Sequence, residues 1–336
     1  MNNMSRREFL SAVGGVALAG AVPLPRFGQN PILGSGTHRY ECVHDWLTPP
    51  EGMAFGDTHG LAQDSRGNIY VSHTVHASST SADAVCVYSE DGKFLRSWGS
   101  QFKGGAHGLD IRKEGREEFI YHCDTNKRNV VKTKLDGSVV WEQGVPLASG
   151  KYSNNEPYIP TNVAFGPNGM LFVADGYGSN WIHVYDAKGN YQKTITQPGA
   201  ERGQVLQPHG LWVDDRGKTP FLVVADRSNR RLQYFDLDGQ HVCFVKAGMR
   251  LPCHFSIREG ELLVPDLQSV VTILDEDNRV IVHLGDGDPT NLRGRPRNEF
   301  VPGKFVHPHD AIFLRNGDIL VSEWVPIGRV TLLRRV

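Results

Sequence analysis

The chain of 336 residues has no long run of one charge sign and almost no net charge, since 36 Lys and Arg against 37 Asp and Glu leave a formal charge of −1. That balance removes the electrostatic basis for binding nucleic acid or an anionic membrane surface. No C-x-x-C pair occurs, and the five cysteines (Cys42, Cys86, Cys123, Cys243 and Cys253) are odd in number, which argues against a zinc knuckle or a full disulfide framework. An oxidising compartment would permit one bridge, with Cys243 and Cys253 nearest in sequence; most of the thiols are expected as small buried hydrophobes in strands. The N-terminal apolar run SAVGGVALAGAV is well under the roughly 20 residues that span a bilayer. It follows a charged segment, Ser5–Leu10 (SRREFL), and precedes a small-residue site at Ala19-Gly20-Ala21, so residues 1–21 read as a cleavable export signal. The paired Arg6-Arg7 gives that signal a twin-arginine (Tat) character. A periplasmic or secreted bacterial location is therefore expected, with no stable membrane insertion once the signal is removed.

Helical periodicity is missing as well. What fills residues 36–336 is a repeat of short β-type runs separated by Gly, Asn and Asp turns. The clearest copy is PHGLWVDDRGKTPFLVVADRSNRRLQYFDLDGQHVCFVKAG, with runs GLWVD, FLVVAD, RLQYFD and HVCFVK. Six copies begin at positions 59, 107, 162, 209, 254 and 309, at intervals of 45 to 55 residues. Four strands per unit at this period predict an all-β fold, a six-bladed β-propeller. The last copy supplies only three strands, near Ala311–Leu314, Ile319–Glu323 and Val330–Leu333, while His38–Leu47 stands alone before the first copy. That N-terminal strand is expected to close the last blade and bury an edge that would otherwise template aggregation. The segment Asp226–Asp238 carries a signature that resembles NHL-type repeats.

Five of the six copies open on a histidine: His59, His107, His209, His254 and His309, with Asn162 in the remaining one. The innermost strand of each blade lines a central channel, so these residues are expected to ring one mouth of it. The connections after the second strand return to the same face and carry Tyr177 (ADGYGSNW) and Arg227 (ADRSNRR). Clustered imidazolium ions repel, so most of the rings must be neutral, and neutral imidazole is the commonest metal ligand. A single such histidine serves equally well to satisfy a backbone group; the set of them favours a metal.

The units are similar to those of the peptidyl-α-hydroxyglycine α-amidating lyase family, a six-bladed propeller with zinc held by three histidines from separate blades. THGL, QPHGL and HPHDA match the three ligand motifs at His59, His209 and His309, and ADGYGSNW places Tyr177 at the catalytic tyrosine. The resemblance implies zinc or another transition metal, with calcium beside it supported by Asp310. It implies Arg227 near the substrate and C–N cleavage of a hydroxyglycine-type amide, a small or peptide-derived substrate. His107 and His254 stand at the same register as candidate further channel ligands. Two alternatives remain open: a non-catalytic NHL-type binding module, and a metal-dependent hydrolase or lactonase on the same fold.

Asp124, Asp175, Asp226 and Asp266 close the second strand of four copies and are read as turn formers bonded to their own loops. Glu323 at a strand end is kept as a candidate base. The segment Gly285–Phe305 is longer than a hairpin needs, so Arg293, Arg295 and Arg297 could cap the cleft and bind a substrate carboxylate. A second insert spans Ser149–Tyr158, and His73, His76 and His122 are read as surface or supporting residues. A closed propeller has no edge that demands pairing, so a monomer is expected.

Overall fold

A computed structural model describes residues 30–153, 156–287 and 292–336. The export signal expected over residues 1–21 lies outside them. Six antiparallel sheets follow one another along the chain, each built from four consecutive strands except the last. Their innermost strands are Thr58–Gln63, Ala106–Glu114, Asn162–Phe165, Pro208–Asp214, Ser256–Arg258 and Pro308–Phe313. The period read from the sequence is therefore the blade, and blades 1 to 6 are numbered in that order.

Blade 6 closes as its missing fourth strand required. His38–Leu47 pairs antiparallel with Arg329–Arg335, setting Cys42 opposite Leu333 and Val43 opposite Leu332. A further strand, Ile32–Ser35, is added outside it. The seam between the last blade and the first is apolar: Leu61, Ile69 and Val71 pack against Ile312, Leu320 and Leu332 in one buried cluster. Burial of this kind is worth roughly 1.5–3 kcal/mol per large aliphatic side chain, which offsets the entropy of joining the two ends of the chain. A buried ion pair, Arg329 with Glu323, sits on the other face of blade 6, toward blade 5, and the Glu323 carboxylate also accepts the Val306 N–H at 2.7 Å.

The His-Gly pairs in blades 1, 2 and 4 have a packing cause. The backbone of the next blade's innermost strand passes so close that a Cβ on Gly108 would lie 2.4 Å from the Thr161 carbonyl oxygen, and one on Gly210 would lie 2.2 Å from that of Cys253. The strands approach the channel axis only because glycine follows the histidine. The turn aspartates do the complementary work on the connecting loops. Asp175 accepts the Ile159 and Ser179 N–H groups at 2.6 and 2.7 Å, and Asp266 accepts those of Arg250 and Leu251 at 2.8 and 2.7 Å. Each carboxylate thus fastens the loop after the second strand to the segment that leads into the innermost strand. The insert Ser149–Tyr158 is tied to the same anchor, with the Tyr152 hydroxyl donating to Asp175 at 2.8 Å.

Candidate metal centre

His59, His107, His209 and His309 converge at the centre of the propeller. Five of their six ring pairs have centroids 4.4 to 4.8 Å apart. Nδ1 of His59 lies 3.2 Å from Nε2 of His309, and Nε2 of His107 lies 3.2 Å from Nε2 of His209. Ligand atoms of His59, His107 and His309 all fall within 4.8 Å of one another. The trio brought closest together therefore includes His107, whereas the sequence motifs put His209 in that place. His209 joins the group across its contact with His107. All four are 2–6 % exposed.

The tautomers of two rings follow from their partners. Nδ1 of His107 is 2.7 Å from the Thr161 carbonyl oxygen, and Nδ1 of His209 is 2.9 Å from that of Cys253. A carbonyl only accepts, so both Nδ1 atoms carry the proton and both Nε2 atoms point bare lone pairs at the channel axis. Thr161 and Cys253 immediately precede Asn162 and His254, so each ring is oriented by the segment that leads into the next blade's first strand. This is the arrangement by which an outer hydrogen bond fixes a ligating imidazole.

Tyr177 and Arg227 arrive from the connecting loops as expected. The Tyr177 hydroxyl lies 3.2 Å from Nε2 of His107 and 3.0 Å from Nε2 of His209. Having one proton, it donates to one of them at a time. Arg227 donates from Nη1 to the Tyr177 oxygen at 3.2 Å and from Nη2 to the Cys253 sulfur at 3.2 Å. The Arg227 side chain is buried and Tyr177 is partly exposed.

The electrostatics keep the ring neutral. Burial, with the neighbouring His107 next, holds His59 well below the usual imidazole range. His309 is lowered in the same way by burial and then by His59, and His209 by burial and then by Arg227. Burial takes His107 down to about 3. The Tyr177 phenol is raised by burial and pulled back in part by Arg227.

His254 and Asp310 form a separate layer beside the ring. Nδ1 of His254 donates to Asp310 at 2.7 Å, and its Nε2 faces Asp110 at 3.7 Å without a hydrogen-bond partner. Asp310 also accepts the Leu61 N–H at 2.8 Å. Burial disfavours the charged His254, but the two carboxylates outweigh it and push its pKa up to about 9. His254 is thus the one phased histidine that is cationic at neutral pH. Asn162 completes the layer, donating to Asp110 at 3.0 Å and accepting the Leu211 N–H at 3.1 Å.

The other expected residues disperse. Glu323 is paired with Arg329 at the blade seam rather than set toward the ring. Arg293 lies on the histidine face, its Nη2 2.7 Å from Asp57 and its guanidinium 3.6 Å from the centroid of Trp324. Arg295 pairs with Glu299 in solvent, and Arg297 donates to the Ile327 carbonyl at 2.7 Å. All five cysteines are free thiols; Cys243 is exposed and the other four are buried. Asp110 was not singled out from the sequence, and Cys253 was named only for its thiol, not for a carbonyl or sulfur beside the ring. The aspartate in HGLD, where the sister copies read HGLA and HGLW, was the available signal for Asp110.

Fold and site together define an NHL-type six-bladed propeller with a histidine cluster on its axis. No family model matches the chain. Among curated proteins it is similar to peptidyl-alpha-hydroxyglycine alpha-amidating lyase 2 of Drosophila melanogaster, 26% identical with 89% of this chain and 73% of that protein covered. It is also similar to human NHL repeat-containing protein 3, 25% identical with 70% of each covered. A match to a probable lyase of the same name in Caenorhabditis elegans spans only 42% of that protein. Of solved structures, a streptogramin B lyase superposes with a TM-score of 0.57 at 11% identity, covering 90% of this chain and 98% of that one. That likeness concerns the fold alone.

Proposed function

We propose that the chain is an exported, metal-dependent lyase that cleaves the C–N bond of a hydroxyglycine-type amide, in the manner of the amidating lyases it resembles. One observation carries the reading. Bare imidazole nitrogens, a phenol oxygen and a buried guanidinium meet within 3.0 to 3.2 Å on the channel axis. Nitrogen lone pairs that face each other at 3.2 Å, with no proton of their own, repel unless a cation or a shared proton lies between them, and a set of neutral imidazoles suits zinc or another transition ion. The residues therefore fit the metal that the resemblance implies: His59, His209 and His309, the three that match its motifs, would hold it, with His107 against all three rings. The bound ion would supply Lewis-acid polarisation of a substrate oxygen.

The remaining steps belong to side chains of this chain. Arg227 holds the substrate carboxylate, and its charge favours the phenolate of Tyr177. The phenolate takes the proton of the substrate hydroxyl. As the carbon–oxygen double bond forms, the C–N bond breaks and the leaving nitrogen receives the proton that Tyr177 has just taken, so an amide and glyoxylate depart and the phenolate is restored. Arg293, steadied by Asp57 and Trp324, bounds the mouth on the side of His59. Calcium at Asp310 has a weaker basis, because His254 already supplies a positive charge there. The test is glyoxylate release from a peptidyl-α-hydroxyglycine by protein exported in its host. Turnover of esters or lactones but not of this amide would replace the lyase by the hydrolase reading, and no turnover of either would favour a binding module.

A further inference from the structure

The geometry points to a four-histidine metal site in this chain, with His107 a full ligand and with an ion that accepts a fifth and sixth ligand. This rests on the metal reading above and extends it to the ligand count and the kind of ion.

Two nitrogens each about 2.1 Å from one ion stand about 3.0 Å apart at a right angle and about 3.4 Å apart at the tetrahedral angle. Both measured pairs, His59 with His309 and His107 with His209, are at 3.2 Å. The two pairs come from blades 1 and 6 and from blades 2 and 4; ligand atoms of His59, His107 and His309 already gather within 4.8 Å, and His209, joined to them through His107, has to close inward on binding, because two nitrogens on one ion stand at most about 4.2 Å apart. His107 is not a bystander to this arrangement. It packs against each of the other three rings, at centroid distances of 4.7 to 4.8 Å. Its Nδ1 proton is committed to Thr161, which leaves Nε2 no role except as an acceptor. The phased residues of the two remaining blades are withdrawn from the ring: Asn162 bonds Asp110 and Leu211, and His254 bonds Asp310.

The ligand count has a chemical consequence. Four protein nitrogens fill a tetrahedral zinc ion and leave no position for substrate. An ion that takes five or six ligands keeps one or two positions open, and imidazole suits iron, nickel and copper as well as zinc. Four neutral imidazoles also leave the ion's full double charge in place, with the Arg227 guanidinium adding to it. An anionic oxygen is the complement such a site draws.

The experiment uses the mature wild-type protein and the variants His107→Ala and His107→Gln, each checked for cooperative unfolding. The protein is loaded anaerobically with Co(II), Fe(II) or Zn(II) alone, and Kd is measured for each. The visible spectrum of the Co(II) form reports the ligand number, and metal-edge X-ray absorption reports the count of imidazoles. The expected result is weak Co(II) absorption of a five- or six-coordinate ion and about four imidazoles in the wild type. Loss of His107 should weaken binding by more than the ~10–100-fold that an orienting partner is worth. A wild-type protein that binds metal through three imidazoles, with affinity unchanged in both variants, would overturn the four-ligand site and leave the metal reading intact. A folded wild type that binds none of the three ions would overturn both.

Discussion

Nε2 of His107 and Nε2 of His209 stand 3.2 Å apart, and each ring has already given its proton to a main-chain carbonyl. The Tyr177 hydroxyl reaches both, but with a single proton. The predictions below follow from this relationship and from the blades that enforce it.

Tyr177→Phe keeps the ring and removes only the phenol oxygen. It should lower kcat for glyoxylate release by about 10²–10⁴-fold, the usual worth of a general base, while bound metal stays near the wild-type level. Loss of metal together with activity would make Tyr177 a ligand or a support instead of a base.

Stability without metal should be lost on acidification. The ring histidines are held below the usual imidazole range, so below about pH 6.5 the unfolded chain takes up protons that the folded one refuses. Each ring that stays neutral costs ~1.4 kcal/mol per pH unit, or ~5 kcal/mol per unit for four. His254 has the opposite sign. Its folded pKa of about 9 makes its contribution complete below about pH 6.5 and lost as pH rises through 9. Urea unfolding of apoprotein from pH 5 to 10 should show a steep acid limb and a gentler alkaline one. His254→Asn should flatten the alkaline limb, and an unchanged limb would contradict the pairing of His254 with Asp310 and Asp110.

Gly210→Ala should destabilise the fold by about 1–3 kcal/mol, because its methyl group meets the Cys253 carbonyl at 2.2 Å and the backbone must yield. That carbonyl orients His209, so metal affinity should fall as well. Gly144→Ala, where nothing lies within 4 Å of the added carbon, is the control.

Glu323→Ala leaves Arg329 buried without its partner at the seam between blades 5 and 6. The expected cost is about 3–5 kcal/mol in urea unfolding. A loss below 1 kcal/mol would show that water reaches the seam.

The sequence exposed the propeller because a blade is a local pattern, four runs and three turns repeated at a near-constant interval. The same phasing put five histidines and Asn162 at one register, and Tyr177 and Arg227 on the returning loops. Which rings meet was not legible, since that depends on contacts between blades far apart in the chain. Asp110 and Asp310 draw His254 away, and Thr161 and Cys253 turn His107 and His209 inward. The arginines 293, 295 and 297 show the limit of composition: alternate positions in an irregular segment, they end on Trp324, on Glu299 and on the Ile327 carbonyl. Nothing in their spacing separates them. Glu323 has the look of a site acid until Arg329, six residues later, is seen to turn back on it.

The four rings either hold a metal or pack against one another without one. Elemental analysis of protein expressed and folded in its own host, wild type beside the double variant His107→Ala/His209→Ala, decides between them. A metal-holding ring gives about one transition-metal ion per wild-type chain and none in the double variant, with both proteins folded. A folded wild type without bound metal would leave the four rings as packing alone.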